Sequence, residues 1–218
     1  MPKIYIHAGL PKTGSSFLQN SFELLEKGSH FKNITYPFIQ DHESFYDIHS
    51  GNASDIGQYL SPNLHPIFLK NQLYSKVDSL LEQVLDKNKT VVFSSEYFST
   101  VPKDRAIIFK DYLEKKGYEV ELIVVIRPLK ELLFSAYMQN IKRDGSTLHF
   151  VDWIDNIAKR LPAFYIDNIM SYKVPVNVIK YNKVSLFEEL LTLVGEDKNL
   201  HKISKKAIVN RSLTRNEL

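Results

Sequence analysis

The sequence predicts an α/β fold: an open, mainly parallel sheet with helices on both of its faces. Strand-like and helix-like patterns alternate along the whole chain of 218 residues. The run VELIVVI (120–126) is the most apolar and β-branched of the chain, as expected for a central parallel strand buried on both faces. The composition, 44% hydrophobic and 24% charged, is that of an ordinary globular protein. A single domain over residues 1–218 is therefore predicted.

The first part of the chain predicts a strand, a loop, a helix and then a long irregular segment. KIYIHAG (3–9) alternates and then reaches glycine, which indicates a strand that ends in a loop. Apolar residues at helical spacing predict a helix from Ser15 to about Leu25, with Ser15 as its cap. The 28–66 segment is rich in Gly, Pro, Asn and aromatic residues, and only NITYPF in it resembles a strand. Irregular segments of this length often carry function.

The rest of the chain continues the alternation of strands and helices. Strands are predicted over TVVFSSEYF (90–98), 120–126 and VPVNVIKY (174–181). Helices are predicted over about 67–85, 104–116 and 129–145, with one or two more in 149–173 and a last one in 185–195. No linker or internal repeat interrupts this order.

Several classes of protein are disfavoured by what the sequence lacks. There is no cysteine, which excludes disulfides and thiolate metal sites. No apolar run approaches the ~20 residues that cross a bilayer, and the chain starts with a strand pattern rather than a signal peptide. The net charge of +3 comes without a strong basic surface signature, so no nucleic-acid partner is expected. A cytoplasmic protein without a membrane span is predicted.

Function is expected beyond the carboxyl ends of the strands, where open α/β sheets bind their ligands. Three polar segments fall there: the loop at 8–16, the run Ser94 to Glu96, and Arg127. The loop lies between a strand and a helix, so its N–H groups and the helix N-terminus are suited to bind an anion.

The lysine of this loop is displaced from the position that ATP-binding P-loops use. Gly9 and Gly14 have the spacing of the two glycines in G-x-x-x-x-G-K-[ST], but Ser15 stands where the lysine should follow. The lysine is Lys12, inside the loop and three residues early. The loop is therefore either a degraded ATP site or a site for a different phosphate-bearing ligand.

Two motifs together resemble the sulfotransferases that use 3′-phosphoadenosine 5′-phosphosulfate (PAPS). The first motif is PKTGSSFL, in which all eight residues match the family pattern: Pro11, Lys12, Thr13, Gly14, Ser15, Ser16, Phe17 and Leu18. The second is VVIRPLKELLFSAY (124–137), in which Arg127, Ser135 and Tyr137 match. The resemblance implies a P-loop NTPase-like three-layer architecture. It also implies that the first motif holds the 5′-phosphosulfate, while Arg127 and Ser135 bind the 3′-phosphate.

The sequence departs from the family pattern at two positions, and further matches are looser. Pro128 follows Arg127 directly, whereas many members have one residue between them. Leu132 stands where a second arginine is frequent in the family. Similarity to bacterial carbohydrate-type members extends to VVFSSEYFS. The segment KYNKV (180–184) resembles a strand end of the family whose tyrosine, here Tyr181, lies near the nucleotide. The terminal NRSLTRNEL is also similar, and its Arg211 is predicted to help hold the 3′-phosphate.

The predicted chemistry is in-line transfer of a sulfuryl group to a hydroxyl, or an amine, of a carbohydrate-like or small-molecule acceptor. Lys12 is expected to neutralise charge on the bridging oxygen, and the Ser15 and Ser16 hydroxyls to hold the 5′-phosphate. Glu96 is the first candidate for the base and His49 the second. The product nucleotide is 3′-phosphoadenosine 5′-phosphate (PAP), and no metal is required. The 28–66 segment is expected to bind the acceptor.

Two other interpretations stay open on the sequence alone. A P-loop kinase or NTPase would bind Mg²⁺–ATP, although Ser15 does not supply its lysine. A non-catalytic nucleotide-binding protein would keep the loop without transferring a group. The sequence identifies neither the acceptor nor the oligomeric state.

Overall fold

The computed structural model describes residues 1–37, 51–60, 66–84, 88–156 and 161–204. Five strands form one sheet, in which every pair of neighbours is parallel. They are β1 Lys3–Ala8, β2 Ile34–Thr35, β3 Thr90–Ser95, β4 Glu119–Ile126 and β5 Val176–Lys180, in the order β2-β3-β1-β4-β5. The predicted fold class, an open parallel sheet surrounded by helices, is confirmed.

Nine α-helices lie within the described part of the chain. They are α1 Ser15–Lys27, α2 Ser54–Leu60, α3 Pro66–Glu82, α4 Lys103–Lys115, α5 Leu129–Asp144, α6 Phe150–Asn156, α7 Leu161–Met170, α8 Leu186–Leu193 and α9 His201–Ser204. A short 3₁₀ helix, η1, covers Glu96–Thr100 directly after β3.

Alternate residues of the strands build two cores, one on each face of the sheet. On β4, Leu122 and Val124 belong to one core, whereas Ile123 and Val125 belong to the other. The first core includes residues of α2, α3 and α4, and the second includes residues of α1 and α8. Each fully buried aliphatic or aromatic side chain contributes about 1.5–3 kcal/mol, so burial on both faces stabilises the sheet.

Two aromatic residues, Tyr36 and Phe98, belong to these cores. Tyr36 and Phe98 are 2% and 0% exposed. Phe22 stacks on Tyr36, with ring centroids 5.1 Å apart, and Phe98 stacks on Phe109 at 5.7 Å. These contacts identify Tyr36 and Phe98 as packing residues.

Two local expectations are corrected. Ser15 does not cap α1 but is its first residue; the cap position is Gly14, in a left-handed conformation with φ 88°. The 28–66 segment, expected to be irregular apart from one strand, contains the helix α2. This helix has only seven residues and a central glycine, so it lacks a recognisable helical pattern.

The 28–66 segment is attached to β3 through Gly51 and Asn52. Asn52 accepts a hydrogen bond from the Ser94 amide at 2.8 Å and donates to the carbonyls of Pro37 and Val92. A β-carbon at Gly51 would lie 2.1 Å from the Ser94 carbonyl oxygen, so only glycine fits there. This anchor places α2 beside η1, at the carboxyl end of the sheet.

Candidate functional site

The register of the sheet brings the segments that follow four strands to the same end of the sheet. Ala8, the last residue of β1, pairs with Ser95, and the Gly9 amide donates to the Ser95 carbonyl at 3.1 Å. Ile126 pairs with Lys180, and the Tyr181 amide donates to the Ile126 carbonyl. The residues that follow β1, β3, β4 and β5 therefore meet at the carboxyl end of the sheet, as the sequence predicted.

The β1–α1 loop, residues 9–14, has an unusual backbone. Lys12 has φ 63° and Gly14 has φ 88°. A left-handed conformation is uncommon for a residue other than glycine and marks strain at functional sites. The hydroxyls of Thr13 and Ser15 both donate to the Leu10 carbonyl, at 2.7 and 3.3 Å, and so fix the loop from inside.

This loop leads directly into the N-terminus of α1. The first amides of a helix have no partner within the helix, and they carry the positive end of its dipole. Leu18 makes the first helical hydrogen bond, to the Gly14 carbonyl. The cap residue is Gly14, which has no side chain that could accept from these amides. The amides of Ser15, Ser16 and Phe17 are thus suited to bind an anion.

Gly9 allows the loop to pack closely against Ser15 and Glu96, because it has no β-carbon. A β-carbon at Gly9 would lie 2.7 Å from Ser15 Oγ and 3.1 Å from Glu96 Cγ. The same geometry shows that the Glu96 side chain begins directly beside the loop.

Arg127 reaches across to the loop from the end of β4. Its Nη1 donates to the Lys12 carbonyl at 3.1 Å, and its Nε donates to Glu131 Oε2 at 3.2 Å. The guanidinium carbon lies 4.6 Å from the centre of the Tyr181 ring, a cation–π geometry. A residue 115 positions away in sequence thus holds the backbone of the displaced lysine.

Tyr181 is the partner of both Arg127 and the loop. A β-carbon at Gly14 would lie 3.2 Å from Tyr181 Cε2, so the ring covers the glycine closely. The strand predicted over 174–181 included Tyr181, but β5 ends at Lys180 and Tyr181 follows it directly. It therefore stands within the group formed by Lys12, Gly14 and Arg127.

Glu96 occupies an exposed position at the end of β3, as the first residue of η1. The Ser95 hydroxyl caps this turn by accepting from the Tyr97 amide, and the Ser99 hydroxyl donates to the Glu96 carbonyl. The backbone of Glu96 is thereby fixed, and its Cγ lies beside Gly9 of the loop. Such a carboxylate can accept a proton from a nearby hydroxyl.

The remaining predicted residues occupy distinct positions. Pro11 and Ser16 are half-buried in the loop and in the first turn of α1. Phe17 packs edge-on against Phe187, with ring centroids 6.1 Å apart. Ser135 is half-buried in α5, two turns after Arg127. His49 and Arg211 lie outside the described residues.

Tyr137, the aromatic residue of the second motif, packs α5 against α6. Its ring lies 5.1 Å from the Phe150 ring and 5.6 Å from the Trp153 ring, and its hydroxyl donates to the Leu148 carbonyl. Its observed role is structural.

A buried polar cluster lies behind the loop. His7 Nδ1 and Ser94 Oγ are 2.8 Å apart, and Gln19 Nε2 donates to the same Oγ at 3.2 Å. Burial lowers the pKa of His7 to about 4, so its ring is neutral at pH 7. His7 is therefore a packed residue of the strand.

No helix in the described ranges is long and apolar enough to cross a membrane. Within the same ranges, no group of three or more His, Asp or Glu side chains forms a candidate metal site.

Comparison with known proteins finds a likeness in fold but not in sequence. No protein-family model and no curated protein sequence matches the chain. The fold resembles the crystal structure of a sulfotransferase from Alicyclobacillus acidocaldarius with a TM-score of 0.51 and 16% identity, over 91% of this chain and 83% of that one. The chain thus has the fold of a solved sulfotransferase.

Two further solved structures share a weaker likeness. Retinol dehydratase, solved with androsterone and the inactive cofactor PAP, has a TM-score of 0.41 and 13% identity over 94% of this chain and 64% of that one. A structure from the PezAT toxin–antitoxin system of Streptococcus pneumoniae has a TM-score of 0.36 and 15% identity, over 95% and 86%.

Sequence reasoning missed two residues of this site. Glu131 contacts Arg127, and the i, i+4 spacing of an acid and a base near a helix start was a usable signal. Asn52 anchors the 28–66 segment through contacts distant in sequence, which no local pattern indicates.

Proposed function

We propose that the protein is a PAPS-dependent sulfotransferase. The observation that carries the proposal is the placement of Arg127 on the carbonyl of Lys12. This contact joins the two motifs that resemble the family into one site. The shared fold with a solved sulfotransferase supports the same proposal.

The residues around the loop fit a nucleotide with phosphates at both its 5′ and 3′ ends. The amides at the start of α1 would hold the 5′-phosphate. The Ser15 hydroxyl already donates to the Leu10 carbonyl, so the Ser15 contribution falls to its amide, and Ser16 offers a half-buried hydroxyl. Arg127, Ser135 and, from outside the described residues, Arg211 would hold the 3′-phosphate. A planar guanidinium suits a phosphate because it offers several N–H donors in one plane.

The donor supplies an activated sulfuryl group whose leaving group is a phosphate. Lys12 would stabilise the charge that grows on the bridging oxygen. Glu96 would accept the proton of the attacking acceptor hydroxyl, with His49 as the second candidate. These roles call for no metal ion, because the transferred group carries less negative charge than a phosphoryl group.

The acceptor would enter beside α2 and η1. These two helices pack closely, since a β-carbon at Gly57 would lie 2.7 Å from Tyr97 Cβ. Tyr97 is 37% exposed and follows Glu96 directly, so its ring is available to an acceptor near the base. A carbohydrate-like acceptor fits this position because sugar rings stack on exposed aromatic rings.

The kinase alternative is disfavoured by the position of Ser15. The residue at the place of the P-loop lysine is only 3% exposed, and its hydroxyl points back to the Leu10 carbonyl. The short Ser15 side chain therefore does not supply the charged contact to the outer phosphates of ATP that the lysine of a kinase loop makes.

Transfer of a labelled group tests the proposal. The purified protein would be incubated with ³⁵S-labelled PAPS and, separately, with γ-³²P-labelled ATP and Mg²⁺, in the presence of a panel of sugars, phenols and amines. We expect ³⁵S in an acceptor and loss of transfer by about 100-fold or more in Glu96→Gln. Transfer of ³²P instead would establish a kinase, and PAP binding without transfer to any acceptor would favour a nucleotide-binding protein.

A further inference from the structure

We infer that Arg127 is a positioning residue for the β1–α1 loop, in addition to its proposed contact with the 3′-phosphate. The inference rests on the proposed function for its ligand, PAP, but its geometry involves the protein alone. Through the Lys12 carbonyl, Arg127 would make the geometry of the 5′-phosphate site depend on the residue that reads the other end of the nucleotide.

The loop needs such support because Lys12 adopts a conformation that it does not favour. Its φ of 63° lies in the left-handed region of backbone conformation. For lysine this conformation is less stable than the right-handed helical or extended one. Such a conformation persists only where surrounding contacts hold it. The hydrogen bond from Arg127 Nη1 to the Lys12 carbonyl acts directly on this peptide.

The guanidinium itself is fixed by two further partners. Glu131 accepts from Nε on one edge, and the Tyr181 ring lies against its face at 4.6 Å. Tyr181 also covers Gly14, the other left-handed residue of the loop. These contacts fix the orientation of the Arg127 guanidinium, which donates to the Lys12 carbonyl.

The two ends of the nucleotide should therefore be coupled. If Arg127 only bound the 3′-phosphate, its loss would affect PAP and leave a ligand without that phosphate unchanged. If it also positions the loop, its loss weakens binding of the 5′-phosphate as well, because the amides after Lys12 lose their fixed direction.

Calorimetric titration with adenosine 5′-phosphate (AMP) and with PAP separates these two cases. For Arg127→Ala we expect AMP affinity to fall about tenfold, the loss of one hydrogen bond from a charged donor, and PAP affinity to fall further. The matched control is Ser135→Ala, because Ser135 is proposed to contact the 3′-phosphate alone. It should weaken PAP and leave AMP within twofold. Unchanged AMP affinity in Arg127→Ala would overturn the inference.

Hydrogen exchange of the ligand-free protein gives a second readout. The amides of Gly9 and Leu18 flank the loop and are hydrogen-bonded to the Ser95 and Gly14 carbonyls. We expect both to exchange at least about fivefold faster in Arg127→Ala, and at the wild-type rate in Ser135→Ala and in Tyr181→Phe, which keeps the ring. Equal rates in Arg127→Ala and the wild type would refute the positioning role.

The two measurements also distinguish failure of this inference from failure of the proposed function. If the wild-type protein binds neither PAP nor AMP, the proposed function is wrong, and the exchange rates still decide whether Arg127 positions the loop. If PAP binds and only its preference over AMP is lost in Arg127→Ala, the function stands and the inference falls. Melting temperatures of all variants control for general unfolding.

Discussion

Glu131→Gln should strengthen the binding of PAP. Glu131 lies against Arg127, with its Oε2 3.2 Å from Nε, and its side chain is 55% exposed. A 3′-phosphate bound to the same guanidinium would stand about 5 Å from this carboxylate, where two unit charges in water repel by about 0.8 kcal/mol. Glutamine keeps an oxygen that accepts from Nε, so the substitution removes the charge but not the orientation of Arg127.

The expected gain follows from these charges. A phosphate of nearly two charges doubles the repulsion, and physiological salt reduces it by about half, so the net change is about 1 kcal/mol, or about fivefold in affinity. Binding of AMP, which lacks the 3′-phosphate, should change by less than twofold. The free energy of unfolding should change by less than about 1 kcal/mol, because the ion pair is exposed.

Isothermal titration calorimetry at two salt concentrations is the assay, with Asp144→Asn as the matched control. Asp144 lies at the far end of the same helix and is exposed, so its substitution makes the same change in net charge away from Arg127. The gain for Glu131→Gln should shrink as salt is raised. Weaker PAP binding than in Asp144→Asn, or an equal gain in both variants, would refute this account of Glu131.

Three further outcomes are expected. Glu96→Gln should leave PAP affinity within twofold while transfer falls about 100-fold; a matching fall in affinity, measured by titration, would contradict its role as base. Gly57→Ala should destabilise the protein by about 1–3 kcal/mol in urea unfolding, because the new carbon would lie 2.7 Å from Tyr97 Cβ and 2.9 Å from Ser95 Oγ; an unchanged midpoint would count against the packing of α2 on η1. The pKa of His7 is about 4 in the folded protein, against an ordinary value of 6.5 that applies to the unfolded chain. As the pH falls, the unfolded chain therefore binds a proton at His7 that the folded protein does not bind. The free energy of unfolding should fall by about 2 kcal/mol from pH 7 to pH 5. His7→Gln should remove this fall, and its persistence would assign it to other groups.

The sequence was sufficient to predict the fold because local and global preferences agree in it. The run 120–126 is apolar at every position apart from Glu121, and β4 lies between β1 and β5 with both faces covered. The helix α2 was missed because it depends on contacts with η1 rather than on its own periodicity. The prediction of Ser15 as the cap of α1 was wrong because serine is a frequent cap residue. The left-handed conformation that makes Gly14 the cap is not indicated by the sequence pattern.

The sequence named several residues that the fold places together, but it did not indicate the contacts between them. The two motifs named Lys12 and Arg127, yet the hydrogen bond between them depends on the register of β1 and β4 in the sheet. The contact of Tyr181 with Gly14 likewise requires the position of β5 beside β4. Contacts of this kind join residues more than a hundred positions apart, and no local pattern carries that information.

The most direct test of the central claim is calorimetric titration of the wild-type protein with PAP, with AMP and with ATP plus Mg²⁺. A phosphate held by a charged donor contributes about 1.5–3 kcal/mol per hydrogen bond, so PAP should bind at least about tenfold more tightly than AMP, and ATP with Mg²⁺ should bind no better than AMP. Tighter binding of ATP with Mg²⁺ than of PAP would contradict the sulfotransferase proposal and favour a kinase.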